Sequence, residues 1–120
     1  PEWSAAITAW ERDMSARLRR GDKFPRHVAV DVQCIRIGGV VLAGFSGEAF
    51  AEIGLRLNRA HGKRFAAACL VNGSVAYLPT AEALAEDGYE RINFIFRGLP
   101  APLDPGAADR LVQAVAGLLK

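Results

Sequence analysis

The sequence lacks several features that would assign it to a common functional class. No apolar run is long enough to cross a bilayer and no signal peptide is visible, so we expect a cytoplasmic chain without a transmembrane segment. Apart from Arg19, Arg20 and Lys23 there is no basic cluster, and the formal net charge is only +2. This charge distribution argues against binding to nucleic acid.

Cysteine and metal-binding motifs are also scarce. The two cysteines, Cys34 and Cys69, lie in apolar strand-like runs without a CxxC pair, which predicts reduced core thiols; a single disulfide between them is the alternative. The HExxH, P-loop and GxGxxG motifs are missing. His27 precedes a predicted strand and His61 lies near a predicted helix end, where a structural or surface role is the simpler interpretation of each.

The sequence does contain enough hydrophobic residues to form one core. Its 120 residues are 51% hydrophobic, which favours a single α/β domain over residues 1–120. The first residue is Pro1 rather than Met, and a helical pattern begins at once. We therefore expect this domain to be part of a larger protein.

The first 21 residues predict an amphipathic helix. Apolar residues recur there at steps of three and four: Trp3, Ile7, Trp10, Met14 and Leu18. This stripe predicts a helix over about residues 2–19 that ends at Gly21 and rests on an apolar surface. If an upstream segment normally covers part of that surface, the isolated chain is expected to form a homo-oligomer.

The middle of the chain predicts a β-hairpin followed by a βαβ unit. The pattern predicts, in order, a strand over 28–34, a tight turn at Gly38-Gly39, a strand over 40–45, a helix over 47–60 that ends at Gly62, and a strand over 64–72. The two strands that flank the helix should be parallel, with a right-handed crossover.

The last third predicts two helices and one more strand. Thr80 can cap a short helix to about Asp87, and the apolar run 92–96 (INFIF) reads as a strand. Asp104-Pro105 should begin a final helix that reaches about Leu119. The predicted fold is therefore α/β, with a mixed sheet flanked by N- and C-terminal helices.

Candidate site residues follow the two parallel strands. Glu48 comes after strand 40–45, whereas Asn72 and Tyr77 follow residues 64–71 of the next strand. Sites in open α/β sheets form beyond the carboxyl ends of parallel strands. Neighbouring strands would therefore bring these residues to the same edge.

The residues alone leave the roles of this edge open. Glu48 could complement a helix dipole, which is worth about 0.3–1 kcal/mol, or it could bind a metal or accept protons. Ser46 could be an N-cap, or the nucleophile of a partial G-x-S-x-G turn that lacks its last glycine. Tyr77 could be a packed aromatic residue with its hydroxyl at the surface.

Two stretches, IRIGGVVLAGFSGEAFAEIGLRL and LVNGSVAYLPTAEALAEDGYE, resemble the late part of the catalytic domain of neutral/alkaline (non-lysosomal) ceramidases. The resemblance covers roughly residues 35–90. It rests on Gly47-Glu48 at a strand-to-helix turn, on Asn72 with Tyr77 five positions later, and on the pair Tyr89-Glu90.

The resemblance implies part of a zinc-dependent amidase that hydrolyses an N-acyl amide such as ceramide. Glu48 and Tyr77 would be zinc ligands and Tyr89 would lie near the reacting carbonyl. The family's two zinc-binding histidines come from an earlier region that this sequence lacks, and His27 and His61 do not match them. The resemblance therefore implies half of a metal site, an upstream part of the same protein as partner, and an inactive isolated chain.

Two other hypotheses remain open. The chain could be a diverged, non-catalytic relative that folds or binds a partner. It could also be a serine hydrolase that uses Ser46.

Overall fold

The computed structural model describes residues 3–120, so the beginning of the predicted first helix, at Glu2, lies outside the described residues. The elements are, in chain order, α1 (Ser4–Arg20), β1 (Val32–Ile37), β2 (Val40–Phe45), β3 (Glu48–Ala49), α2 (Ala51–His61), β4 (Phe65–Ala68), β5 (Tyr77–Leu78), α3 (Ala81–Ala85), α4 (Tyr89–Phe96) and α5 (Ala107–Leu118). The predicted α/β class is confirmed.

The larger sheet has the strand order β1-β2-β4. β1 and β2 form the predicted antiparallel hairpin, in which Ile37 pairs with Val40 across a turn that holds Gly38 at a φ of 58°. β2 and β4 are parallel neighbours with α2 between them in the chain, which confirms the predicted βαβ unit. Gly62 ends α2 at a φ of 82°, as expected for a glycine C-cap.

The core lies on one face of this sheet. Ala43 and Phe45 of β2 point to that face, where Ile53 of α2 and Val115 of α5 cover them. All four residues are at most 1% exposed. Burial of these side chains holds the sheet against α2 and α5. Each strand contributes alternate residues to this core, and each helix contributes one apolar stripe.

Two strand boundaries differ from the sequence prediction. β1 begins at Val32 rather than at residue 28, and β4 ends at Ala68 rather than at residue 72. Leu70 adopts a φ of 58°, in the left-handed region, and this turn takes the chain out of the sheet. Cys69, next to this turn, is exposed, so the prediction that both cysteines are core thiols is wrong for Cys69; both cysteines are free.

The predicted strand at 92–96 is wrong, because this run lies within the helix α4. Short apolar runs fit both periods, and Tyr89, Asn93 and Phe96 share one helical face. Gly88 precedes the helix in an extended conformation.

The first helix rests on α4, as its apolar stripe predicts. The Trp10 indole packs edge-on against Phe94 at 5.4 Å and donates a hydrogen bond to the Leu99 carbonyl at 2.8 Å. Met14 is buried, and Gly21 ends the helix at a φ of 74°. Within residues 3–120, no helix is both long and apolar enough to span a membrane.

Candidate functional site at the carboxyl edge of the sheet

Glu48 and Tyr77 are direct partners in a small second sheet. β3 and β5 run parallel, and Glu48 lies opposite Tyr77. The Glu48 N–H donates to the Ala76 carbonyl at 2.9 Å, and the Phe50 N–H donates to the Leu78 carbonyl at 3.3 Å. The expectation that the two strand ends bring these residues together is therefore confirmed.

Gly47 makes this pairing sterically allowed. A Cβ atom at position 47 would lie 2.6 Å from Cδ1 of Leu78 and 3.2 Å from the Ala76 carbonyl oxygen. No side chain fits in that space, so only glycine lets the chain before Glu48 approach β5 so closely. The Gly47-Glu48 pair thus has a structural reason: the glycine brings the carboxylate beside the tyrosine.

The side chains of Glu48 and Tyr77 interact as well as their backbones. The Glu48 carboxylate lies close enough to the Tyr77 phenol to influence its pKa. Burial raises the pKa of the Tyr77 phenol, and the hydrogen bond to Glu48 and the negative charges of Glu48 and Glu90 raise it further. Tyr77 therefore holds its proton more tightly than a free tyrosine does.

Tyr89 joins this pair from the first turn of α4. Its ring meets the Tyr77 ring edge-on, with centroids 5.8 Å apart and planes at 90°. The Tyr89 hydroxyl accepts a hydrogen bond of 2.7 Å from Nδ2 of Asn93, which lies one turn along the helix and is 3% exposed. The three residues to which the resemblance assigns a role at the zinc or the reacting carbonyl, Glu48, Tyr77 and Tyr89, thus lie in one cluster.

Ser46 has a structural role at this edge. It is 2% exposed, and its Oγ accepts a hydrogen bond of 2.8 Å from the Asp31 N–H. The prediction that Ser46 caps the helix is wrong, because α2 begins at Ala51 with Phe50 as its N-cap. A serine nucleophile also needs a base within hydrogen-bonding reach, and the Oγ contact here is a backbone amide.

The same boundary removes the helix-dipole explanation for Glu48. The predicted helix 47–60 begins four residues later than expected, so Glu48 lies in β3 and Glu52 is the acidic residue of the first turn. Dipole effects fall off within the first turn of a helix. The Glu48 carboxylate is therefore positioned by the pairing of β3 with β5, which places it beside Tyr77.

Asn72 supports the loop rather than the cluster. It is exposed and has a φ of 61°, a conformation that asparagine tolerates better than most residues. Val71, before it, donates its N–H to the Phe45 carbonyl at 2.9 Å, and Val75, after it, donates to the Ser46 carbonyl at 2.8 Å. These bonds tie the loop to the end of β2.

The histidines lie away from this cluster. His61 ends α2 and packs on Phe65 at 5.2 Å, at the start of β4 and hence at the opposite edge of the sheet. His27 is exposed and lines a cavity of about 400 Å³ against α5. Residues 3–120 contain no group of three or more His, Cys, Asp or Glu side chains arranged to hold a metal ion.

The donor set at the carboxyl edge is therefore two oxygens, one carboxylate and one phenol. Zinc accepts carboxylate oxygen together with nitrogen and sulfur ligands, and four-coordinate sites are the rule. Glu48 and Tyr77 place two oxygen donors side by side, and the described residues do not supply further ligands to complete such a site.

Sequence reasoning missed Asn93 and the aromatic surroundings of the cluster. Phe50 packs edge-on against Tyr77, and Trp3 packs against Tyr89. The available signal for Asn93 was its spacing of four residues from Tyr89, which places both on one face of a helix. Because residues 92–96 were predicted to form a strand, the helical spacing of Tyr89 and Asn93 was not recognised.

Comparison with protein-family models, with curated proteins and with solved structures found no match for the chain.

Proposed function

We propose that this chain carries the oxygen half of the zinc site of an amidase that resembles the neutral/alkaline ceramidases. Glu48 and Tyr77 are the two ligands, and Tyr89 lies near the reacting carbonyl. The observation that supports this most directly is the register of β3 and β5, which places Glu48 opposite Tyr77 with the Tyr89 ring 5.8 Å from the Tyr77 ring.

When bound, zinc would polarise the amide and lower the pKa of a water molecule. Glu48 would supply negative charge to the site. Tyr77 would have to lose its proton to bind, and its raised pKa means that the free chain opposes this loss. A cation bound to both oxygens would offset the effect of the Glu48 charge on the Tyr77 phenol.

Tyr89 is suited to donate a hydrogen bond toward an acyl oxygen. Its oxygen accepts the Asn93 amide proton, which orients the phenol and leaves its own O–H free of that contact. A hydroxyl fixed in this way can stabilise charge that develops on a carbonyl oxygen.

The two remaining ligands have to come from outside residues 3–120. We propose the upstream part of the same protein as their source, with imidazole as the donor. Structural zinc sites with four ligands reach about 10–16 kcal/mol. Two oxygens, one of which must first be deprotonated, fall far short of this, so the isolated chain should have neither tight zinc nor amidase activity.

The decisive experiment compares two carboxylates in the longer protein that carries the upstream segment. Glu48→Gln should lose both zinc, measured by elemental analysis, and hydrolysis of an N-acyl amide such as ceramide. Glu52→Gln is the matched control, because it makes the same change in the first turn of α2 without touching Tyr77, and it should retain both.

Ser46→Ala separates the remaining hypotheses. An inactive Ser46→Ala beside an active Glu48→Gln would favour a serine hydrolase. Full activity in both variants would remove the site, and an absence of zinc and activity in the unmodified longer protein would favour a non-catalytic module. Turnover with tight stoichiometric zinc in the 120-residue chain would contradict the need for outside ligands.

A further inference from the structure

A cavity of about 400 Å³ lies between α5 and the chain segment that precedes β1. All but four of the residues that line it are apolar, among them valines of this segment and leucines and prolines of the loop before α5. Protein sites for small molecules have volumes of about 300–1,000 Å³ and mostly apolar walls with a few polar groups. In size and in composition, the cavity fits that class of site.

One wall of the cavity is a row of three valines. Val28, Val30 and Val32 are half-buried, whereas the residues between them are exposed, which is the alternation of an extended chain. The three side chains therefore lie on one side, and the valine row is about 13 Å long at about 3.3 Å per residue. It continues the apolar face of β1 beyond Val32, where the pairing with β2 ends.

The opposite wall is one face of α5. Its apolar residues, at steps of four and three along the helix, are Ala107, Leu111 and Ala114. This face is about 10 Å long from its first residue to its last. Alanine side chains are short, so two of the three positions leave space between the helix and the valine row. The cavity is therefore a long, narrow apolar slot, a shape that suits an unbranched aliphatic chain.

The charged residues of the slot lie at its rim and are mainly basic. Arg26 and His27 directly precede the valine row, so they lie at one end of the slot. Asp104 is already paired with Arg110, since its Oδ1 lies 3.0 Å from Nη1 of the arginine. Arg26 is exposed and has no ion pair within residues 3–120. A guanidinium can bind a carboxylate through two parallel hydrogen bonds, so this end of the slot is complementary to a carboxylate.

A segment upstream of α1 would enter the molecule away from the slot. Trp3 packs on Tyr89 at 5.1 Å, beside the carboxyl-edge cluster. The other end of α1 is the one near the slot, because Arg17 stacks on Phe24 at 4.6 Å and Pro25 lines the slot. The helix between Trp3 and Arg17 is about 21 Å long. An upstream segment would have to return along this length to fill the slot, whereas a small molecule reaches it from solvent.

We propose that the slot binds an unbranched aliphatic carboxylate of medium length, with its tail between the valine row and α5 and its carboxylate on Arg26. Burial of apolar surface binds the tail, and the guanidinium fixes the head group. This site is independent of the zinc proposal, because Glu48, Tyr77 and Tyr89 do not line the slot.

Titration of the 120-residue chain with octanoate, followed by the shifts of its backbone amide NMR signals, tests the proposal. Octanoate should bind saturably, with a Kd below about 10 mM, and should shift the signals of the valine row and of Leu111. Hexanoate is shorter by two methylenes and should bind about fifteenfold more weakly, since each buried methylene tightens binding about fourfold.

Two variants separate the head group from the tail. Arg26→Gln should weaken octanoate at least tenfold and leave the binding of 1-octanol unchanged, because the alcohol has no charge to pair. Ala114→Phe should fill the slot and weaken octanoate and 1-octanol alike, with an unchanged circular-dichroism spectrum because Ala114 is exposed. Arg36→Gln is the matched control: Arg36 is an exposed arginine of β1 that does not line the slot, and its variant should bind octanoate like the unmodified chain.

An absence of saturable octanoate binding to the unmodified chain would overturn the proposal. So would shifts confined to residues outside the slot, equal losses in Arg26→Gln and Arg36→Gln, or unchanged octanoate binding in Ala114→Phe.

Discussion

The core beneath the sheet and the carboxyl edge of the same sheet differ in the physical reasons for which their residues are present. In the core, Phe45, Ile53 and Leu57 are at most 1% exposed, and their burial accounts for their presence. At the edge, folding accounts for Gly47 and Ser46, which have a steric and a hydrogen-bonding role. Folding does not account for Glu48, a carboxylate placed beside the half-buried phenol of Tyr77, whose pKa it raises. The stability of the fold therefore explains Gly47 and Ser46, but it does not explain why Glu48 lies beside Tyr77.

The largest expected effect lies in the core. Ile53→Ala should lower the free energy of unfolding by about 2–5 kcal/mol, because it leaves a cavity between α2 and the sheet. Urea denaturation followed by circular dichroism measures this. Leu55→Ala, on the exposed side of the same helix, should cost no more than about 0.5 kcal/mol. Equal losses would mean that α2 does not pack as described.

At the edge, Ser46→Ala should have an intermediate effect. The change leaves the part-buried Asp31 N–H without its 2.8 Å partner, which costs about 1–3 kcal/mol. Ser74→Ala, an exposed serine in the neighbouring loop, is the control in the same denaturation experiment. A loss below about 0.5 kcal/mol in Ser46→Ala would remove the structural role assigned to this hydroxyl.

Glu48→Gln should have the smallest effect on stability, within about 0.5 kcal/mol. Glutamine has the same size, and its amide oxygen can accept a hydrogen bond as a carboxylate oxygen does. Thermal unfolding beside Ser46→Ala gives the comparison. A loss as large as that of Ser46→Ala would show that the carboxylate is part of the structural framework.

Much of this arrangement could be predicted from the sequence because it depends on local patterns. The glycines at 38 and 39 and the apolar periods around them predicted the hairpin and the βαβ unit, and hence the meeting of Glu48 with Tyr77. The later start of α2 could not be predicted, because it depends on β3 pairing with β5, a tertiary contact. The run 92–96 was ambiguous for the same reason: its helical state depends on packing against α1.

The contact between the two candidate ligands also sets a pH dependence. Because the folded chain raises the pKa of Tyr77, the stability contributed by its neutral phenol is fully present below the ordinary pKa of about 10. That contribution is lost as the pH rises through the raised, folded-state pKa. The carboxylate of Glu48 supplies part of this raise, after burial itself.

The most direct measurement is therefore the pKa of Tyr77 with and without the Glu48 charge. Tyr77 and Tyr89 are the two tyrosines of the chain, so in the Tyr89→Phe variant the ultraviolet tyrosinate absorbance reports Tyr77 alone. Adding Glu48→Gln to this variant should lower the pKa of Tyr77, while the part of the raise that comes from burial remains. The same pKa in both proteins would contradict the contact between Glu48 and Tyr77, and with it the paired oxygen ligands of the proposed zinc site.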